Sequence, residues 1–267
     1  TLLKALPIEQ DELIVARLLG YLSNVYWDYG GVEERKTLGL KIESILWSQV
    51  NSDRSRSARS AFYASYRQLA LSDEAVDRLE RLWRGDESVD GLPLSETEQI
   101  ALASGLALKG LSTAEEVLDQ QRQRITNPDR LAKFDFVRPA LSADLASRKS
   151  FFESLTQLEN RNREAWVLNG LQYLSHPLRA KDSLEFILPA LNLLTEIQAT
   201  GDIFFPGRWL DVNLDGHNSI EAANIVSGFL DKSESLSPRL RLKVQQSADG
   251  LFRSAEIVYG WVPPSQL

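Results

Sequence analysis

The strongest constraint on this chain is its apolar periodicity, which is helical from one end to the other. Across residues 13–22 the apolar side chains recur at three- and four-residue spacing, the interval that lines one face of an α-helix. Gly30-Gly31 interrupts the pattern, and a second helix is expected through Leu38, Ile42, Ile45, Leu46 and Trp47. The polar run from Asn51 to Ser57 reads as a loop. Residues 58–71 return to helix, with Phe62, Tyr66 and Leu69 on one side. Strand signals are nearly absent. No apolar–polar alternation is sustained, and no Asn-Gly or Asp-Gly joins two such runs.

Helix starts are chemically explicit. Ser72 precedes Asp73 and Glu74, so its hydroxyl can cap a helix whose positive end the acids favour. Ser95 with Glu98, and Thr113 with Glu116, both fit the capping box. Asn127-Pro128 and Ser237-Pro238 place a cap residue before proline at the first helical position. About a dozen helices joined by short loops predict an all-α fold of stacked antiparallel pairs. No strict repeat is present, so the expected architecture is a degenerate α-solenoid of the HEAT or armadillo kind. Residues 1–267 are read as a single helical domain. Residues 85–93, acidic and carrying Gly and Pro, mark the one candidate seam. A loop is favoured there, because helical pattern resumes at once on both sides.

Composition narrows the function classes. A net charge of −7 argues against non-specific nucleic-acid binding, which needs a basic footprint on phosphate. No apolar run approaches the roughly 20 residues that span a bilayer. With 43% hydrophobic and 25% charged residues the chain has the make-up of an ordinary soluble globular protein. The absence of Cys excludes disulfides, thiolate–zinc sites and thiol nucleophiles, and fits a cytoplasmic or a periplasmic setting equally. The start Thr1-Leu2-Leu3-Lys4 has neither Met nor the regions of a secretory signal, so a fragment or processed form of a longer chain is expected.

Catalytic motifs are missing. His176 and His217 are the only histidines, and neither lies in H-E-x-x-H. His176, before Pro177, is expected in a helix-end turn. No phosphate-binding Gly loop and no G-x-S-x-G elbow occurs. The carboxylate pairs Glu33-Glu34 and Glu115-Glu116 lie on amphipathic helices and read as solvated faces. The least ordinary stretch is 201–210, with two Gly, one Pro, three aromatics, an acid and a guanidinium. Exposing Phe204, Phe205 and Trp209 together would be costly, so a structured loop is expected there. It either plugs the end of the helix stack or walls a cavity, with Arg208 offered to a carboxylate.

Ordered segments between Ile125 and Arg253 resemble the carboxy-terminal helical region of bacterial zinc aminopeptidases of the aminopeptidase N family. They begin with Ile125-Thr126-Asn127-Pro128-Asp129-Arg130-Leu131-Ala132-Lys133-Phe134, then Phe136 and Pro139 to Ser142. Arg148 with Phe151-Phe152, Glu164-Ala165-Trp166-Val167 and His176-Pro177-Leu178-Arg179 follow in order. Glu196-Ile197 leads into Gly201-Asp202-Ile203-Phe204-Phe205-Pro206. Gly216-His217-Asn218-Ser219 and Lys243 with Asp249 to Arg253 complete the series.

The resemblance implies a non-catalytic region of a zinc-dependent peptidase. The family's zinc ligands and catalytic residues lie in a preceding domain, so no catalytic residue, metal ligand or cofactor is assigned to this chain. Its expected partners are that catalytic domain of the same polypeptide and, in the parent enzyme, a peptide substrate whose cavity the helices enclose. Asp202, Phe204, Phe205, Arg208, Trp209 and His217 are the candidates for the cavity lining. The competing reading is a free-standing α-solenoid that binds another protein. The first reading expects an exposed apolar surface, near the amino-terminal end or along one concave side; the second expects polar caps at both ends. An independent hydrolase lacks any recognisable nucleophile or metal constellation.

Overall fold

The computed structural model describes residues 1–233 and 236–263. Among these the chain is all-helical, with fifteen α-helices, two short 3-10 turns and no strand. Its contacts divide it into two compact units, Thr1–Ile125 and Thr126–Leu267. The division therefore falls at residues 125 and 126, and residues 85–93 lie inside the first unit. That segment is tied down there. Val89 is in the core, Leu92 and Leu94 pack against it, and Arg59 donates Nη2 to Asp90 O at 2.6 Å.

The first unit consists of α1 (Leu2–Ala5), α2 (Glu12–Asp28), α3 (Val32–Val50), α4 (Arg56–Leu69), α5 (Asp73–Arg84), α6 (Glu96–Leu108) and α7 (Ala114–Arg124). Helix α4 packs on α2 and α3, and α6 packs on α5 and α7. The inward residues follow the helical interval: Val15, Leu19, Leu22 and Tyr26 on α2, and Phe62, Tyr66 and Leu69 on α4. Each such aliphatic or aromatic side chain contributes roughly 1.5–3 kcal/mol on burial.

Of the five helix starts expected from cap chemistry, at Ser72, Ser95, Thr113, Asn127 and Ser237, all but one are capped as expected. Ser72 Oγ accepts from Ala75 N, and the Ser95–Glu98 box is closed in both directions. Thr113 is the exception: it makes no cap bond, and its buried hydroxyl has no partner. Its backbone, at φ −95° and ψ 16°, arrives from a turn that bonds Ala114 N to Leu111 O. A capping side chain needs the extended backbone that the other caps adopt. At the junction of α4 and α5 the buried carboxylate of Glu43 accepts from the amides of Leu71 and Ser72, at 2.7 and 2.9 Å.

The second unit consists of α8 (Pro128–Leu141), α9 (Leu145–Ser154), α10 (Glu164–Leu174), α11 (Ala180–Asn192), α12 (Leu194–Thr200), α13 (Phe205–Leu214), α14 (Ile220–Lys232) and α15 (Pro238–Tyr259). Helix α8 packs on α9 and α10, α13 on α10 and α15, and α14 on α11 and α15. Three buried arginines hold helix ends whose last carbonyls have no partner within their own helix. Arg179 donates to Ala140 O and Leu141 O, the latter at 2.6 Å. Arg148 donates to Ser142 O and Ala143 O, both at 2.8 Å, and pairs with Asp182 at 2.7 Å. Arg161 donates to Leu155 O at 2.6 Å and pairs with Glu196. A cation is also favoured at the negative end of a helix dipole.

Candidate functional site

Residues 201–210 do not form one loop. Helix α13 starts at Phe205, with Pro206 in its first turn, where the missing N–H leaves no bond unmade. Asp202 supplies the start signal. Its Oδ1 accepts from the amides of Phe204 and Phe205 at 2.6 and 2.9 Å. The amide of Phe204 first, then that of Phe205, helps hold the Asp202 carboxyl below its ordinary range. Asp202 N in turn donates to Glu164 Oε1 at 2.9 Å, tying the turn to the start of α10. Partial burial, then the neighbouring Asp202 charge, pushes Glu164 upward. Gly201 is required by space: a Cβ there would lie 2.6 Å from the Phe205 ring and 3.0 Å from Ile197 O.

The aromatic residues divide between core and surface. Phe205 and Trp209 are buried 6.0 Å apart, edge to face, and Trp209 Nε1 donates to Ala190 O at 3.0 Å. Ile203 and Phe204 are 65% and 63% exposed. The Arg208 guanidinium sits 5.8 Å from the Phe204 ring centre, and its charge acts on both Glu164 and Asp202. Of the expected cavity-lining residues, then, Phe204, Arg208 and Asp202 meet at one exposed turn. Phe205 and Trp209 belong to the core of the unit.

His217 is also inside. It is 4% exposed, its Nε2 lies 3.4 Å from Ser183 Oγ, and its Nδ1 has no partner. Burial pushes its pKa down to about 4, so the ring is neutral at pH 7. The preceding Gly216 makes this placement possible by lying directly on the Ser175 carbonyl. His176 is used locally: its Nδ1 accepts from Leu178 N at 3.2 Å and caps a 3-10 turn, Pro177–Arg179. Among the described residues no three His, Asp or Glu side chains gather closely enough to hold a metal ion.

A second surface lies on the first unit, and its extent is not evident from periodicity alone. Nineteen large apolar residues are exposed among the described residues, and nine of them fall between residues 8 and 40. They are Ile8, Leu13, Ile14, Tyr21, Val25, Tyr29, Val32, Leu38 and Leu40; no other is met until Leu158. On α2 the spacing of Ile14, Tyr21 and Val25 puts them on one outward face, about a third of a turn round the helix from the buried Val15, Leu19, Leu22 and Tyr26. Helix α2 is thus apolar on two sides. Among the described residues no helix is long and apolar enough to cross a membrane.

No protein-family model matches this sequence, and no curated protein matches it.

Proposed function

We propose that this chain is the non-catalytic helical region of a zinc-dependent aminopeptidase of the aminopeptidase N family. It encloses the substrate cavity and limits the access of peptides. Its partner is the catalytic domain of the same polypeptide, which carries the zinc. The observation that carries the reading is the concentration of exposed apolar side chains in residues 8–40. Exposed apolar side chains concentrated in this way are unfavourable in water, and we read them as a face that another body covers. The ordered segments that resemble the family add a second support. From Thr126 onward they lie in one compact unit, and many of their residues hold its framework: Asn127 as a cap, Arg148 and Arg179 on helix ends, and Gly216 against Ser175.

In this role the chain does no bond chemistry. It orders helices around a cavity, and the turn at Asp202, Phe204 and Arg208 offers a guanidinium and an aromatic ring to a peptide. Because the turn is already held by Asp202 and Glu164, a ligand there loses little to ordering it.

Hydrolysis of aminoacyl-p-nitroanilides by the full reading frame that encodes this chain, beside the 267-residue chain alone, tests the reading. Hydrolysis by the full polypeptide only, with one zinc per molecule, is the expected result. Hydrolysis by the chain alone, or by neither, overturns it.

A further inference from the structure

We propose that the first unit carries a binding site for a free aliphatic α-amino acid, in the cleft between α4 and the approach to α6. This inference is independent of the aminopeptidase reading. The cleft has a volume of about 340 Å³, within the range of small-molecule sites. One wall is α4, where Arg56, Ser60 and Tyr63 are spaced to face the same way. Facing them are Leu92, Pro93 and Leu94, then Ser95 and Glu98 at the start of α6.

Three unused groups meet there. Tyr63 is 4% exposed, yet its hydroxyl has no hydrogen-bond partner. A buried hydroxyl left this way is destabilising, and a ligand acceptor would relieve it. Burial pushes this phenol up to about 12, so it stays protonated and able to donate. Arg56 is exposed, and no described carboxylate pairs with it. Glu98 uses one oxygen, Oε2, for the Ser95 amide and hydroxyl, both at 2.7 Å, which leaves Oε1 open.

These groups select a zwitterion. A carboxylate suits Arg56 with the Ser60 and Tyr63 hydroxyls, but a simple acid would also meet the Glu98 charge. An ammonium suits Glu98 Oε1, but a simple amine would meet Arg56. An α-amino acid satisfies both, and an aliphatic side chain suits the wall of Leu92, Pro93 and Leu94. Discrimination then rests as much on repulsion of the half-molecules as on attraction of the whole.

The wall is held in place before any ligand arrives. One turn along the chain from Arg56, Arg59 donates Nε to Val50 O at 2.7 Å and Nη2 to Asp90 O at 2.6 Å. Gly91 takes the left-handed φ of 69° that the turn demands, and Leu92 N donates to Val89 O at 3.0 Å.

Isothermal titration calorimetry of the 267-residue chain with L-leucine, 4-methylpentanoate and 3-methylbutylamine tests the site. One leucine bound per chain is expected, with each half-molecule weaker by about tenfold or more. Arg56→Ala and Glu98→Gln are each expected to weaken leucine by about 10- to 100-fold, the range for a hydrogen bond to a charged group. Gln retains the helix cap at position 98, so an unchanged melting temperature separates lost binding from lost folding. No heat at millimolar leucine, equal binding of 4-methylpentanoate, or unaltered affinity in Arg56→Ala overturns the proposal.

Discussion

Replacing Gly216 by alanine puts a methyl group where the backbone of another segment already lies. An ideal Cβ there is 1.5 Å from Ser175 O and 2.8 Å from Ser175 C. Real Cβ contacts essentially never fall below 3.0 Å, so the two segments must separate by about 1.5 Å. Neither can give way cheaply. Ser175 ends α10, and its amide bonds to Leu171 O at 2.8 Å. The turn at 216 is closed by His217 N to Leu214 O at 3.0 Å and carries the buried His217 ring. Overpacking of a rigid contact costs about 1–3 kcal/mol, and disturbing the buried turn brings the expected loss to about 3–5 kcal/mol. For a unit of this size that lowers the melting temperature by roughly 10–20 °C. Gly228 on α14 is the control, because a Cβ there meets nothing within 4 Å. Gly228→Ala is expected to stabilise by up to about 1 kcal/mol, through helix propensity alone. Calorimetric melts of the two variants give opposite signs if the packing is right. A Gly216→Ala protein melting within about 3 °C of the parent would refute the close approach.

Further expectations concern single contacts. His217 has a folded pKa of about 4 against an ordinary 6.5, so the folded form binds fewer protons between those values. Its neutral form costs no stability above pH 6.5, and about 3 kcal/mol is lost as pH falls to 4. Urea unfolding at pH 7 and pH 4.5 should therefore differ less in His217→Gln than in the parent, and an equal difference would contradict the burial. Arg179→Met removes the donor to Ala140 O and Leu141 O inside the unit. A loss of about 3–5 kcal/mol in urea is expected, and one below about 1 kcal/mol would show the clamp to be dispensable. Ser95→Ala should cost about 1 kcal/mol as a lost cap, whereas Thr113→Val should be neutral or stabilising, since that buried hydroxyl bonds nothing. Equal losses in denaturant at both positions would contradict this assignment of the caps.

Local chemistry made much of the fold legible in the sequence. Ser72, Ser95, Asn127 and Ser237 all cap the helices expected of them, because a short polar side chain before an apolar period has one good use. Thr113 carries the same letters but not the backbone they require. The start of α13 was hidden by its glycines and aromatics, although Asp202 and Pro206 together are a start signal. Which arginines are buried is not written locally. Arg148, Arg161 and Arg179 resemble exposed arginines until α8, α9 and the turn after α9 bring unpaired carbonyls to them. The division at residues 125 and 126 likewise depends on long-range contacts rather than on loop composition. On α2 the sequence shows apolar residues at helical spacing. Only packing separates Val15, Leu19 and Leu22, which face inward, from Ile14, Tyr21 and Val25, which do not. For the candidate site, Asp202, Phe204 and Arg208 meet as their proximity in sequence suggested. Trp209 and His217 are drawn inward by core packing, which sequence proximity does not report.

The central claim is that the apolar face of α2 is covered by the catalytic domain of the same polypeptide. The chain contains no Cys, so a single cysteine reports its own accessibility. Ile14→Cys and Val25→Cys, at positions 48% and 49% exposed, would be labelled with a maleimide in the 267-residue chain and in the full polypeptide. Labelling at each site is read by peptide mass, with Ser57→Cys, exposed in the first turn of α4, as the reference. The account predicts rapid labelling in the isolated chain and slower labelling of positions 14 and 25, relative to position 57, in the full polypeptide. Equal relative rates in the two proteins, or a reading frame that encodes no further domain, would contradict it.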